Sequence, residues 1–282
     1  MDRRRFLERA AGGLLAAGGL GRPTGATEGP GNAPPVPPDR IGLQLYTVRD
    51  LMADSVEDTL ALVAGVGYRE VEFAGYFERD PAALRVTLDG LGLRAPSTHV
   101  GLADVTDPGP VLQTASTLGH RWIVVASLPR DRTASLDGWR RAADELNRAG
   151  EAVAAAGHGL AYHNHAAELE PLEGTVPYDL LLERCDPELV RMQADLYWMR
   201  AGGADPVAYF ERWPGRWPSC HVKDMDADGG MVAVGDGVID FPALFAHAAR
   251  AGLEHWFVEH DEPGDAPAVI ERSYRYLATL GG

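Results

Sequence analysis

The sequence is short of cysteine, of positive charge and of long apolar runs. Its two cysteines, Cys185 and Cys220, are too far apart for a C-x-x-C metal or redox motif. They could pair, but buried free thiols are the favoured interpretation. Lys and Arg number 26 against 41 Asp and Glu, a formal charge of -15. A surface this acidic repels phosphate backbones and anionic lipid, which argues against nucleic acid as a partner.

The first residues predict an export signal. Residues 2–21 read DRRRFLERAAGGLLAAGGLG, a basic start followed by an apolar run from Ala10 to Leu20 that is too short to span a bilayer. Arg-Arg followed closely by Phe6-Leu7 resembles the twin-arginine signal of bacteria. The alternative is an amphipathic helix on the domain. We therefore expect a signal over 1–27, a Pro/Gly-rich lead-in over 28–39 and one domain over 40–282. The mature protein would be periplasmic or secreted, without a stable membrane anchor.

From Arg40 onward, short β-rich runs alternate with helical patterns. Eight strands are predicted: Ile41–Tyr46, Glu70–Phe73, Ala95–Val100, Trp122–Ala126, Gly159–His165, Arg191–Tyr197, Ser219–Lys223 and Trp256–His260. Eight strand–helix repeats call for parallel strands with crossover helices, and closure into a (β/α)8 TIM barrel is the natural solution. An open doubly wound sheet is the alternative, but the first strand is followed by YTVRD and not by a G-x-G-x-x-G phosphate fingerprint.

Ligand-type side chains collect where these strands end, at the edge where TIM barrels carry their active sites. They are His99, His163, His165, Glu168, Glu170, Asp195, His221, Lys223, Asp224, Glu259 and Asp261. Residues two apart in a strand share a face, so we expect His163 with His165, and His221 with Lys223, to point into the mouth together. Burying several carboxylates without a cation costs several kcal/mol for each charge. The pattern therefore predicts a divalent metal site.

The preferred metal ligands are Glu168, Asp195, His221 and Glu259, with His165 as the alternative to Glu168. Such a mixed set of oxygen and nitrogen donors suits Mn²⁺, Mg²⁺ or Co²⁺, with Zn²⁺ or Fe²⁺ as further options. The plainer interpretations are that Asp195 caps a loop and that Glu168 and Glu170 form a solvated acidic rim.

The predicted chemistry is proton abstraction next to a carbonyl of a sugar or cyclitol, through an enediolate that the metal stabilises. His165 and His163 are the first candidates for the base because imidazole titrates near neutrality, and Glu259 is an alternative. Lys223 would offset negative charge or hold a substrate oxygen, unless it merely pairs with Asp224. Three further side chains are expected to line the sugar pocket: His99, Tyr197 and Trp198.

Several motifs from Arg40 to the C-terminus are similar to those of the xylose isomerase-like barrels known as sugar phosphate isomerases/epimerases. The motifs are IGLQLYTVRD, LAYHNH with a following acid, DLYW, HVKDM, GDGVIDF and WFVEHD. The resemblance implies a metal held by Glu, Asp, His and Glu from successive strand ends. The ketose epimerases of this group place a Glu inside strand five, where this chain reads AYHNH. HVKD and GDGVIDF look equally like inosose dehydratases and lyases acting on 3-keto-glycosides.

The function expected from sequence is a metal-dependent sugar isomerase or epimerase. The alternative is a lyase or dehydratase acting on keto-sugars, inososes or 3-keto-glycosides, and export slightly favours this outcome because phosphorylated sugars are mostly cytoplasmic. A non-catalytic sugar-binding protein is a weaker rival, and a nuclease on the same barrel is disfavoured by the acidic surface. The expected partner is a small carbohydrate, and a homo-oligomer is compatible with the sequence.

Overall fold

The computed structural model describes residues 36–281, so the predicted export signal lies outside the described residues. Eight parallel strands close into a barrel in the order β1, β10, β7, β6, β5, β4, β3, β2. These strands are β1 (Ile41–Gln44), β2 (Glu70–Phe73), β3 (Arg94–Val100), β4 (Trp122–Val125), β5 (Gly159–His163), β6 (Val190–Asp195), β7 (Ser219–Val222) and β10 (His255–Val258). The predicted (β/α)8 barrel is confirmed.

Helices cover the outside of the barrel. They are α1 (Arg49–Asp54), α2 (Val56–Val66), α3 (Pro81–Leu91), α4 (Leu102–Thr106), α5 (Gly109–Leu118), α6 (Arg130–Thr133), α7 (Leu136–Ala155), α8 (Pro177–Arg184), α9 (Leu196–Ala201), α10 (Pro206–Arg212), α11 (Phe241–Phe245), α12 (Ala248–Ala251) and α13 (Ala266–Thr279). Side-chain oxygens cap many of the helix starts: Ser55 accepts from the Asp58 amide and Ser135 from that of Gly138. No helix among residues 36–281 has the length and hydropathy to cross a membrane.

Small and large side chains alternate inside the barrel. A Cβ added at Gly42 would lie 2.4 Å from the Phe257 ring, and one at Gly159 would lie 2.3 Å from the Trp122 ring, so glycine makes room for each aromatic. Two buried acids of β2 also face inward. Glu70 contacts His255 and Glu72 contacts His221. The barrel therefore holds two carboxylate–imidazole pairs, one above the other.

Six of the eight strands end earlier than predicted, which changes where the polar residues lie. β5 ends at His163, so His165 falls outside the strand, and β6 ends at Asp195, so Tyr197 belongs to α9. The reason for the second boundary is local. The Asp195 side chain accepts a hydrogen bond from the Trp198 amide and so starts a helix directly after the strand. The stretch Phe241–Arg250 has the composition of one helix but forms two short ones, α11 and α12.

A short antiparallel hairpin and the loop beside it lie between β7 and α11. Its strands are β8 (Asp224–Met225) and β9 (Met231–Val232). The Asp224 carboxylate accepts backbone N–H groups from Met225, Gly235, Gly237 and Ile239 at 2.8–3.2 Å. The GDGVIDF motif is thus bound around one buried carboxylate.

The two cysteines are separate buried thiols. Cys185 and Cys220 are both free and shielded from solvent. Burial raises the pKa of the Cys185 thiol to about 12 and that of Cys220 well above its ordinary value, so both stay protonated and unreactive.

Candidate metal centre

Four ligand-type side chains meet at the carboxyl ends of adjacent strands. His163 ends β5, Asp195 ends β6, His221 lies in β7 and Glu259 follows β10. Each is at most 5% exposed, and one ligand atom from each lies within 4.8 Å of the others. Neighbouring parallel strands end at one edge of the barrel, so their last inward side chains converge there. We call these four residues the mouth cluster.

The mouth cluster contains two buried polar atoms that no hydrogen bond satisfies. His221 Nδ1 and Glu259 Oε2 make no hydrogen bond of good geometry, although they lie 2.6 Å apart and Lys223 Nζ lies 2.8 Å from the same oxygen. His163 Nε2 and His221 Nδ1 lie 3.3 Å and 3.8 Å from Asp195 Oδ2. Unsatisfied buried groups are rare and indicate a ligand, water or ion. Two imidazole nitrogens and two carboxylates are a donor set that fits a divalent transition metal.

Burial and neighbouring charges set the protonation of this cluster. Burial, followed by the nearby His221, lowers the pKa of His163 to about 3, so this imidazole is neutral and free to coordinate. Burial alone would raise the pKa of Asp195, but the Lys223 ammonium and His163 hold it at about 2. Burial opposes charge on His221, yet the Glu259 and Glu72 carboxylates raise its pKa to about 10. A metal ion that binds His221 would therefore have to displace one of the two protons on its ring.

Lys223, the only lysine in the sequence, supplies a buried cation beside the cluster. Its Nζ lies 3.0 Å from Asp195 Oδ2 and 2.8 Å from Glu259 Oε2, and it donates a hydrogen bond to Asp261 at 2.7 Å. Burial opposes its charge, but these carboxylates raise the pKa of the ammonium well above its ordinary value. The suggested pairing with Asp224 is not seen, because Asp224 accepts from the backbone of the neighbouring loop.

Glu168, predicted as a ligand, lies outside the mouth cluster, and His163 occupies the strand-five position instead. A short 3-10 turn over Ala167–Leu169 directs Glu168 back toward the strand. Its Oε1 accepts a hydrogen bond from the Tyr162 hydroxyl at 2.6 Å and one from the His165 amide at 3.0 Å. Period two also explains the difference, because His163 is the last residue of β5 on the inward face.

The predicted base His165 lies at the rim of the site. Its side chain is 41% exposed, its Nδ1 lies 3.8 Å from Glu168 Oε1, and its ring stands edge-on to that of His163 with centroids 4.8 Å apart. The Trp198 ring lies 5.9 Å from the His165 ring and 5.8 Å from Lys223 Nζ. Both side chains thus border the space above the cluster. Trp198 Nε1 is buried and makes no hydrogen bond.

The other two predicted pocket residues lie deeper. The Tyr197 hydroxyl donates to the Gly229 carbonyl at 2.9 Å, so this side chain ties α9 to the hairpin loop. His99 packs against the rings of both His163 and His221, with centroids 5.0 and 5.1 Å away. Its Nε2 contacts Gln193 Oε1 at 2.7 Å. Both side chains therefore support the cluster from neighbouring elements.

Sequence reasoning missed a set of buried polar residues beneath the cluster. Gln44, Glu72, Ser97 and Gln193 are completely buried and joined by hydrogen bonds. The available signal was Glu72 inside the otherwise buried strand EVEF, because an acid in such a strand requires partners.

A cavity of about 450 Å³ opens beside the cluster, between the loops that follow β4 and β5. Trp139 and Leu172 form part of its apolar wall, and Tyr162, His165 and Glu168 contribute polar groups. Such a mixture is typical of a small-molecule site. His165 is common to the cavity and to the rim of the mouth cluster.

Relatives of known name resemble most of the chain. An inosose dehydratase from Geobacillus kaustophilus is 26% identical over 75% of this chain and 82% of its own length. A solved structure from Parabacteroides distasonis, described as a sugar phosphate isomerase/epimerase, is 26% identical with a TM-score of 0.75, covering 86% of this chain and 95% of that one. The comparisons support an enzyme of sugar metabolism.

A more distant structure shares the fold alone. It is the IOLI protein with a bound zinc atom, 14% identical with a TM-score of 0.70, covering 86% of this chain and 98% of that one. A family model described as the xylose isomerase-like TIM barrel matches residues 60–280. The match spans most of the barrel and every residue of the mouth cluster. The chain belongs to the xylose isomerase-like TIM barrel family.

Proposed function

We propose that this protein is a metal-dependent lyase that eliminates water or another β-substituent from a keto-sugar, an inosose or a 3-keto-glycoside. The observation that carries the proposal is the mouth cluster, whose two unsatisfied buried atoms fit a divalent ion. The inosose dehydratases among the relatives support elimination over the isomerisation that the sequence favoured.

The proposed ligands of the ion are His163, Asp195, His221 and Glu259. When bound there, a divalent ion would act as a Lewis acid toward a substrate carbonyl. The C–H bond next to a carbonyl is too weakly acidic for an unaided side chain, which is why the site needs such a cation. The zinc atom bound in the IOLI structure supports a metal-dependent activity for a protein of this fold.

His165 is the proposed base. Its ring is exposed at the rim, whereas the low pKa of His163, about 3, makes that imidazole a poor proton acceptor at neutral pH. Glu168 accepts the His165 backbone N–H and also lies near its ring, so it orients the imidazole. Glu259 is the less favoured base because the Lys223 ammonium lies 2.8 Å from its Oε2.

Lys223 and Trp198 are proposed to hold the substrate. The ammonium already lies among three carboxylates, so its role is to offset their charge and to donate to a substrate oxygen nearby. The unpartnered Nε1–H of Trp198 is a second donor at the rim.

The second candidate is a sugar isomerase or epimerase, which the name of the Parabacteroides distasonis structure supports. Both reactions begin with removal of the proton next to the carbonyl and differ in the fate of the carbanion. Reprotonation gives an isomer, whereas loss of a β-substituent gives an unsaturated ketone.

The test is incubation of the manganese-loaded protein in D2O with an inosose, a ketohexose and a 3-keto-glycoside, followed by NMR and mass spectrometry. An unsaturated product supports the lyase, and deuterium incorporation without elimination supports the isomerase. Neither product from any of the three, together with tight sugar binding, would favour a sugar-binding protein and overturn the proposal. His221→Ala should abolish turnover, whereas the exposed control His247→Ala should retain it.

A further inference from the structure

Glu72 is a completely buried carboxylate in the centre of the barrel, directly beneath the mouth cluster. It lies on β2, on the far side of the barrel from His221. Its Oε2 lies 2.6 Å from His221 Nε2. This contact leaves the other ring nitrogen, Nδ1, as the atom that faces Asp195 and Glu259.

Every close neighbour of this carboxylate is a donor. The Gln44 amide donates to Oε2 at 2.7 Å, and Ser97 and Gln193 donate to Oε1 at 2.5 and 2.7 Å. His99 Nε2 lies 3.1 Å from Oε2. A carboxylate only accepts, so these contacts fix which end of each amide faces it.

The two glutamines are held at their other ends as well. Gln44 Oε1 accepts the Tyr46 backbone N–H, and Gln193 Oε1 contacts His99 Nε2 at 2.7 Å. Neither amide can turn over without losing a partner. The carboxylate therefore sits in a rigid frame built from strands β1, β3 and β6, and its position relative to His221 is set by the barrel.

We propose that Glu72 is the positioning residue of the metal centre: it keeps a proton on His221 Nε2 and presents the bare Nδ1 to the ion. The inference rests on the proposed function only in requiring that His221 binds a metal. A hydrogen bond from a ligand imidazole to a carboxylate fixes the ring orientation and increases its basicity as a ligand. Glu72 is thus required for affinity without touching metal or substrate.

A second metal is the competing interpretation, because Glu72, His99 and His221 are close enough to form a ligand set. The contacts argue against it. Both carboxylate oxygens already accept at least two neighbouring donors, and His221 Nε2 points at Oε2 and not at a shared centre.

The test is Glu72→Gln in the full barrel domain, titrated with MnCl2 by calorimetry. In the variant, one of the two carboxylate oxygens becomes an NH2 group, so either His221 Nε2 or the Gln193 amide would face another donor. The negative charge of the carboxylate is lost as well. We expect a 10–100-fold weaker affinity for Mn²⁺, the range found for outer-shell partners of metal-bound histidines. Glu72→Asp, which keeps a carboxylate at a greater distance, should recover part of that loss.

Glu70→Gln is the matched control. Glu70 lies two residues earlier on β2, is equally buried and contacts His255 Nδ1 at 2.6 Å, but it lies away from the mouth cluster. It should lower thermal stability and leave the Mn²⁺ affinity within about threefold of the parent, because the contacts that change are those with His255, Arg94 and Arg40, none of which belongs to the mouth cluster. Equal loss of affinity in both variants would mean a general structural effect and would overturn the proposal.

A spectroscopic readout separates positioning from stability. The sequence contains nine histidines. In the zinc-loaded protein labelled with ¹⁵N-histidine, we expect His221 to show a protonated Nε2 that exchanges slowly, and Glu72→Gln to speed that exchange. A Glu72→Gln protein that keeps the parental Mn²⁺ affinity would overturn the assignment. So would a parent protein that binds two Mn²⁺ ions and a Glu72→Gln variant that binds one, because Glu72 would then be a ligand itself. Failure of turnover with every keto-sugar would reject the proposed function and leave this result intact.

Discussion

At the scale of single residues, Lys223 shows how the barrel tolerates three carboxylates in its mouth. This residue is 1% exposed, and its ammonium contacts Asp195, Glu259 and Asp261. Removing one partner of a buried charge group costs about 3–5 kcal/mol because the remaining charges stay buried and uncompensated. A divalent ion in the mouth cluster would compensate the same carboxylates. Ammonium and metal therefore stabilise one set of negative charges.

Lys223→Met should therefore destabilise the metal-free protein by about 3 kcal/mol and increase the stabilisation that Mn²⁺ provides. The measurement is the melting temperature in EDTA and in MnCl2. Arg184→Met is the control, because its pair with Asp144 is exposed and screened by solvent, so the melting temperature should stay close to the parental value. A Lys223→Met protein that melts in EDTA at the parental temperature would contradict this account.

The strand-five ligand provides a second test at this scale. His163→Ala should weaken Mn²⁺ binding by more than the roughly 100-fold upper limit for outer-shell partners, because it removes a proposed ligand. Glu168→Gln should leave the affinity nearly unchanged, because Glu168 is engaged by Tyr162 and the His165 backbone. Calorimetric titration of both variants decides the matter, and the reverse result would restore the assignment made from sequence.

At the scale of elements, the loop after β9 depends on one carboxylate and on a glycine that approaches it closely. Gly237 donates its N–H to Asp224, and a Cβ at this position would lie 2.3 Å from Asp224 Oδ1 and from the Met225 carbonyl. Backbone atoms cannot move away without breaking neighbouring hydrogen bonds. Glycine at this position of the GDGVIDF motif is therefore required by the packing of the loop and not by the proposed catalysis.

Gly237→Ala should cost about 1–3 kcal/mol of stability and speed hydrogen exchange in residues 235–239. Gly90→Ala is the matched control. Gly90 lies in α3 with nothing within 4 Å of the added Cβ, so alanine should stabilise the helix by up to about 1 kcal/mol. Chemical denaturation and exchange mass spectrometry measure both effects, and equal stability of the two variants would contradict the steric argument.

Element types were readable from the sequence, but several of their ends were not. The eight strands stand out as β-rich runs between helical patterns, and the helix from Ser135 is marked by its cap and amphipathic spacing. The end of β6 depends on Asp195 capping α9, which competes with continuation of the strand toward Tyr197. Sequence patterns do not rank such competing local hydrogen bonds.

At the scale of the whole molecule, the sequence predicted the residues at the barrel mouth better than the buried polar residues beneath them. Asp195, His221 and Glu259 could be placed together because adjacent parallel strands end at one edge. Glu72 and Gln193 could not be paired with them in advance, because contacts across a barrel interior depend on strand stagger and tilt. The sequence predicts His163 as a base, whereas its place as the last residue of β5 favours the proposed role as a metal ligand.

Export also belongs to the whole molecule, and we propose the twin-arginine route for it. Replacing Arg3 and Arg4 with lysine should leave the precursor in the cytoplasm, since recognition depends on the arginine pair beyond its charge. Cell fractionation followed by immunoblotting measures the outcome. Arg9→Lys with Arg22→Lys is the control with the same net charge, and it should be exported normally. Equal export of both double variants would reject this route.

The scarcity of amines makes the mouth of the barrel accessible to chemical footprinting. Apart from the chain's α-amino group, an acylating reagent has one target in this protein, and that target lies behind the rim among anionic neighbours. Because Lys223 is buried in the folded protein, we expect it to react slowly. A protein molecule that gains one acyl group at Lys223 has therefore opened its barrel mouth, and the rate of labelling, followed by mass spectrometry, reports how often the mouth opens.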